Sequence, residues 1–138
     1  MPDWTGPLYD LGHLVGRLLL GYIFVTSGWT HLTRTGPMTG YASSKGVPAP
    51  RFFVLLTGVM IFVGAALIIL GWHRFIGACL LILFLLPVAF IMHAFWKETD
   101  PMARMNEQIH FQKDLGLAGA AILIAYYAGQ PWPLSLGG

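Results

Sequence analysis

Two stretches of the chain are almost bare of polar side chains. Residues 52–72 carry neither a charge nor a proline, and residues 75–96 are interrupted only by Pro87 and His93. At 1.5 Å per residue each helix rises about 30 Å, the thickness of a bilayer's hydrocarbon core. Two further apolar stretches flank them. The uncharged run Leu18–Trp29 rises only about 18 Å, and Leu115–Tyr127 only about 20 Å. Neither crosses a bilayer unaided. The first helix must therefore start near Leu8 or Leu11 and take Arg17 with it. The last must include the turn of Phe111, Lys113 and Asp114. The pattern predicts an all-α fold: an integral membrane, antiparallel four-helix bundle. Its helices are expected at about 8–32, 52–72, 74–96 and 109–129, in a single membrane domain over 1–138.

Composition agrees. Hydrophobic residues make up 56% of the 138 residues and charged residues 10%, against about 25% charged in soluble domains. Mean hydropathy is +0.66. Disordered chains and most soluble enzymes are excluded. A net charge of +2 is too small for a polyanionic partner, so no nucleic acid is expected. The expected partners are the lipid bilayer and other subunits of a membrane complex. Cys79 is the single cysteine, which excludes an intrachain disulfide and a CxxC pair, and with them disulfide-to-quinone electron transfer within this chain. The first ten residues lack a basic, cleavable leader pattern, so the first apolar segment is expected to be retained.

Four spans place both termini and the 71–74 turn on one face, called here the terminal face. The loops 33–51 and 97–110 lie on the other, the loop face. Arg34, Lys45, Arg51, Lys97, Arg104 and Lys113 belong to the loop face, against Arg17 and Arg74. The positive-inside rule makes the loop face cytoplasmic and the termini non-cytoplasmic. Aromatic belts fit: Trp4, Tyr9, Trp72, Tyr126, Tyr127 and Trp132 on one side, Trp29, Tyr41, Phe52 and Trp96 on the other. Gly12 and Gly16 form a GxxxG, and Gly116, Ala120, Ala121, Ala125 and Ala128 line the last helix, so close helix packing is expected there.

Ionisable residues within spans are costly and are therefore functional candidates. Asp10, His13 and Arg17 share one helix face near the terminal side. They read either as a snorkelling arginine beside a helix-start carboxylate, or as an anion or quinone-headgroup contact or a proton path into the bundle. At the loop side, His31 ends helix one, His93 and Trp96 end helix three, and His110, Lys113 and Asp114 open helix four. Carboxylate, imidazole and indole at one membrane depth suit a quinone or another amphipathic ligand. The plainer reading is interfacial histidines bonded to loop backbone. A haem between His31 and His93 finds no helix shaped for a macrocycle, and a zinc or di-iron site lacks carboxylates. The sequence thus predicts no metal and no certain cofactor, with quinone the candidate ligand.

Taken in order, these residues resemble the DoxX-like family of small four-helix membrane proteins. The resemblance runs from about Leu14 to Ala125. It rests on Arg17, Gly21, Phe24 and Ser27-Gly28, on the Gly46-Val47-Pro48 turn, on His93-Ala94-Phe95-Trp96, and on Phe111-Gln112-Lys113-Asp114 with the small residues that follow. The chain departs from the family pattern at His31, where lysine is common, at Ile61, where many members carry glutamate, and at Asp114, where asparagine is common. The resemblance implies a bacterial cytoplasmic membrane protein. Family relations include subunits of quinone-coupled sulfur oxidation, membrane oxidoreductase assemblies in oxidative-stress defence, and distant cargo receptors. The resulting expectation is a subunit of a membrane oxidoreductase assembly, not catalytic by itself, that contacts quinone or another amphipathic ligand at the cytoplasmic helix ends. Arg17, His31, His93, Trp96 and Asp114 are its candidate ligand-binding residues. The alternatives are a purely structural accessory subunit and a carrier of a small hydrophobic solute.

Overall fold

The structure is a computed structural model, and it describes residues 6–137. Trp4 of the expected aromatic belt lies outside the described residues. The chain is all-helical: α1 Pro7–Thr33, α2 Thr35–Ser44, α3 Pro50–Leu70, α4 Arg74–Ile91, a 3-10 turn at Phe95–Lys97, and α5 Pro101–Tyr126. The first apolar helix, α3, and the segment Arg74–Lys97 are each long and apolar enough to cross a membrane.

Among the described residues five α-helices thus stand where four were expected. The extra one, α2, is folded from the 33–51 connection. Helix five also begins at Pro101 rather than near residue 109, because that start is written in local chemistry. The Asp100 side chain accepts from the Ala103 amide at 2.8 Å, and Pro101 follows with the fixed φ a first helical turn needs. Prolines likewise open α1 and α3. Gly71 closes α3 in the left-handed region at φ 65, and the Trp72 amide returns to the Leu67 carbonyl at 3.0 Å. A side chain at Gly71 would also strike Ser135 and, at 2.7 Å, the Arg17 guanidinium.

Helix α1 packs on α3, α3 on α4, and α4 on α5, while no close backbone packing joins α1 to α5 among the described residues. The long helices therefore form a row that does not close by backbone contact at its ends. Phe24, Ile61, Ala65, Ile68, Leu81, Leu85, Ala118 and Ala121 make the buried core. The tightest contacts do not use the GxxxG. Nothing lies within 4 Å of a β-carbon built at Gly12, Gly16, Gly116 or Gly119. Close approach occurs at Gly28, 3.0 Å from the Gly58 carbonyl, and at Gly58, 2.8 Å from His31 Cβ. These two glycines let α1 and α3 meet, and they set His31 against α3.

Candidate functional site

The gap between α1 and α5 widens at the loop face into a cavity of about 800 Å³, within the size range of small-molecule sites. Its walls are largely apolar, from Ile23, Phe24, Phe84, Leu85, Val88 and Leu117. Polar side chains enter from two sides.

On one side stands His31 of α1, buried, with Nδ1 3.1 Å from Thr57 Oγ1 and 3.2 Å from the Val54 carbonyl. A carbonyl only accepts, so Nδ1 bears the hydrogen and Nε2 is left as an acceptor. The ring edge rests on Phe84, 5.9 Å between centroids.

The other side is built by α5 and the segment after α4. Helix α4 ends at Ile91, where the Val88 carbonyl accepts from both Met92 and His93 amides. His93 therefore leaves the helix. Its Nδ1 lies 2.7 Å from Glu107 Oε2 and its Nε2 3.5 Å from Asp114 Oδ2. The His110 ring stacks on it at 5.0 Å. Lys113 reaches Asp114 Oδ1 at 3.5 Å. Glu107, His110 and Asp114 stand at i, i+3 and i+7, one face of α5.

Helix α2 roofs this end with Met38, Tyr41 and Ala42. It packs on α3 and α1 but not on α4 or α5. What ties the roof across the cavity is polar. Lys45 Nζ bridges Glu98 at 2.8 Å and Glu107 at 3.1 Å, and the Tyr41 hydroxyl donates to Glu107 at 2.9 Å. Partial burial and the hydrogen bond to Glu107 push the Tyr41 phenol up to about 12. Burial lowers the Lys45 ammonium, but bonds to Glu98 and Glu107 outweigh it, so the net shift is upward.

Of the sequence candidates, His31, His93 and Asp114 line this one cavity; Arg17 and Trp96 do not. Trp96 cannot share a helix face with His93, because the helix stops between Phe90 and His93. Its ring instead packs on Phe95 and Phe111, at 5.2 and 5.6 Å. Arg17 sits at the terminal face, 4% exposed. There Nη2 donates to the Leu134 carbonyl at 2.7 Å and the Pro133 carbonyl at 3.0 Å. Trp132 packs edge-to-face on His13 at 4.9 Å and lies 5.9 Å from the guanidinium. Backbone carbonyls thus take up Nη2, while Nε and Nη1 are buried without a hydrogen-bond partner among the described residues. Sequence reasoning missed Glu107, Lys45 and Tyr41. The signal for Glu107 was its heptad spacing to Asp114, hidden by starting the last helix too late.

Known proteins share this pattern. The DoxX family model matches residues 12–94. Two proteins of Escherichia coli (strain K12) are similar. Inner membrane protein YphA is 31% identical over 112 residues, 81% of this chain and 79% of its own. Inner membrane protein YqjF is 30% identical over 118 residues, 86% and 85% respectively. No solved structure matches. With that match over most of the length, and a multi-pass pattern of apolar helices, the chain belongs to the DoxX family of membrane proteins.

Proposed function

We propose that this protein is a subunit of a membrane redox assembly whose loop-end cavity holds an amphipathic ligand of the quinone class. In this reading α5 is the fourth span, completing an antiparallel membrane bundle in one domain, and α2 lies at the interface. The loop face is cytoplasmic and both termini face away in this reading, which the excess of Lys and Arg on the loop side supports. The membrane is the bacterial cytoplasmic one, in keeping with the two inner membrane relatives.

The observation that carries the proposal is the cavity itself. Apolar walls suit a ring and its tail, and Nε2 of His31 is an acceptor for the hydroxyl of the reduced, quinol form, while His93 lines the same cavity. An apolar pocket with a few polar groups at one end suits this ligand class. The protein purified in mild detergent is expected to carry quinone, identified by solvent extraction and ultraviolet absorption, and His93→Ala is expected to lose it.

A structural accessory role is the second reading. It is favoured by the open glycine faces of α1 and α5, where Gly12, Gly16, Gly116 and Gly119 touch nothing. If no quinone is extracted, and Gly116→Leu or Gly119→Leu releases the chain from its native complex while His93→Ala does not, that reading replaces the first.

A further inference from the structure

We infer that Glu107, His93 and Asp114 form a proton relay from the loop-face surface to the floor of the cavity. The inference rests on the cavity as a ligand site, but not on the ligand being a quinone. The contacts are continuous and grow steadily more buried. Side-chain exposure falls from 29% at Glu98 to 17% at Lys45 and 14% at Glu107. It falls further to 13% at His93 and 6% at Asp114. Asp114 is a buried carboxylate at the cavity wall, with Oδ2 toward His93 and Oδ1 toward the partly exposed Lys113, and the path through His93 and Glu107 is the one built of groups that can pass a proton on.

Imidazole is the side chain that accepts a proton on one nitrogen and gives one from the other. His93 turns one nitrogen to each carboxylate. A neutral ring has one N–H and an imidazolium has two, so the number of donors that His93 turns to the two carboxylates changes as it gains or loses a proton. The transfer is balanced as follows. A proton from water converts the Glu107 carboxylate to the acid. Glu107 passes it to Nδ1 of a ring protonated on Nε2, giving imidazolium. The imidazolium releases its Nε2 proton to Asp114 Oδ2. One proton has moved from solvent to Asp114, Glu107 is again a carboxylate, and the ring has exchanged tautomers. A ring flip or a returning proton resets it. The 3.5 Å step to Asp114 exceeds the ~2.7–3.2 Å of a good hydrogen bond and is the slow link.

The groups around His93 come from every neighbouring element. Glu107, His110, Lys113 and Asp114 come from α5, Tyr41 and Lys45 from α2 and its end, Glu98 from the turn after α4, and His31 from α1 across the cavity. Lys113 also reaches His110 Nδ1 at 3.4 Å. The ligand class this serves is an amphipathic molecule whose headgroup gains or loses a proton when bound.

Infrared spectroscopy of the full chain in detergent tests the relay without any ligand. Acidification is expected to produce several overlapping carboxylic-acid carbonyl bands, one of which is absent in Asp114→Asn. On mixing with heavy water, that band is expected to exchange at least tenfold more slowly in His93→Gln and in Glu107→Gln. Added imidazole is expected to restore fast exchange in His93→Gly, an effect a purely structural histidine would not produce. Circular dichroism identifies any variant that fails to fold, and the other then carries the test. Unchanged exchange of the Asp114 band in a folded variant, or an acid spectrum identical in the parent protein and Asp114→Asn, overturns the relay. Neither result bears on whether quinone is extracted from the protein.

Discussion

The two ends of the bundle both bury ionisable groups, and they do so in opposite ways. At the terminal face, Arg17 is closed off by the chain's own backbone, with Pro133 and Leu134 as acceptors and Trp132 laid beside it. Arg74 approaches the same indole at 5.1 Å. At the loop face, His93, Glu107 and Asp114 meet one another beside a large cavity. Carbonyls cannot take up a proton, whereas carboxylates and imidazoles can. The difference teaches that a charge in an apolar helix is read by its partners. Arg17 is tied into structure, while Asp114 is left able to change state.

The largest expected effect breaks the terminal end. Truncation after Gln130 removes both acceptors of Arg17 and is expected to cost about 3 kcal/mol, the scale of a buried charge losing its partners. The same truncation in an Arg17→Met background should cost clearly less. Denaturant unfolding in micelles measures both, and equal losses would show that Arg17 does not depend on the tail. Next comes the loop end. Glu107→Gln keeps the shape but weakens the bonds to Lys45, His93 and Tyr41, and is expected to lower affinity for a quinone analogue about tenfold, near 1.4 kcal/mol. Titration of tryptophan fluorescence reads this, and an unchanged Kd would detach the carboxylate from the cavity.

A pair of glycines sharpens the comparison further. Gly58→Ala forces α1 away from α3 at His31 Cβ and should destabilise by about 1–3 kcal/mol. Gly16→Ala meets nothing and should be neutral or gain up to about 1 kcal/mol in helix propensity. Thermal unfolding of the two variants side by side distinguishes them. The smallest effect concerns pH. Folded Tyr41 holds its proton to about 12, against 10.0 for an ordinary tyrosine. The folded state therefore binds more protons in that window, and stability falls as pH rises through it. Water on the exposed side of the ring keeps the loss small. Absorbance titration of phenolate should lose its latest-ionising component in Tyr41→Phe.

Sequence patterning predicted the presence of the long apolar helices well, because α3 and α4 are uniformly apolar, and it placed the end of α3 closely because Gly71 is a strong signal. It also directed attention to Arg17 and Asp114, through runs too short to cross a bilayer. It failed where polar segments fold. Helix α2, with its glycines and Pro37, carries no apolar periodicity, and α5 begins in eight residues that read as loop until the Asp100 cap is noticed. The same blind spot hid Glu107, Lys45 and Tyr41, whose meaning depends on α2 lying over α5. Trp96 was misassigned because a continuous helix was drawn through a chain that breaks after Ile91. The GxxxG has a limit of a different kind: spacing shows that a close approach is allowed, but not to which element, and within the described residues no other helix makes it.

The bond from Arg17 to the Pro133 carbonyl spans 116 residues, and so it has a place in time. At about 5–20 residues per second of synthesis, roughly 6 to 23 s separate the making of this arginine from the making of its acceptors. Over that interval the first helix carries a cation that the rest of the molecule has not yet covered. Until Pro133 and Leu134 are made, the guanidinium lacks both carbonyls that accept from it, so this contact forms only after the chain of all five described helices has been synthesised.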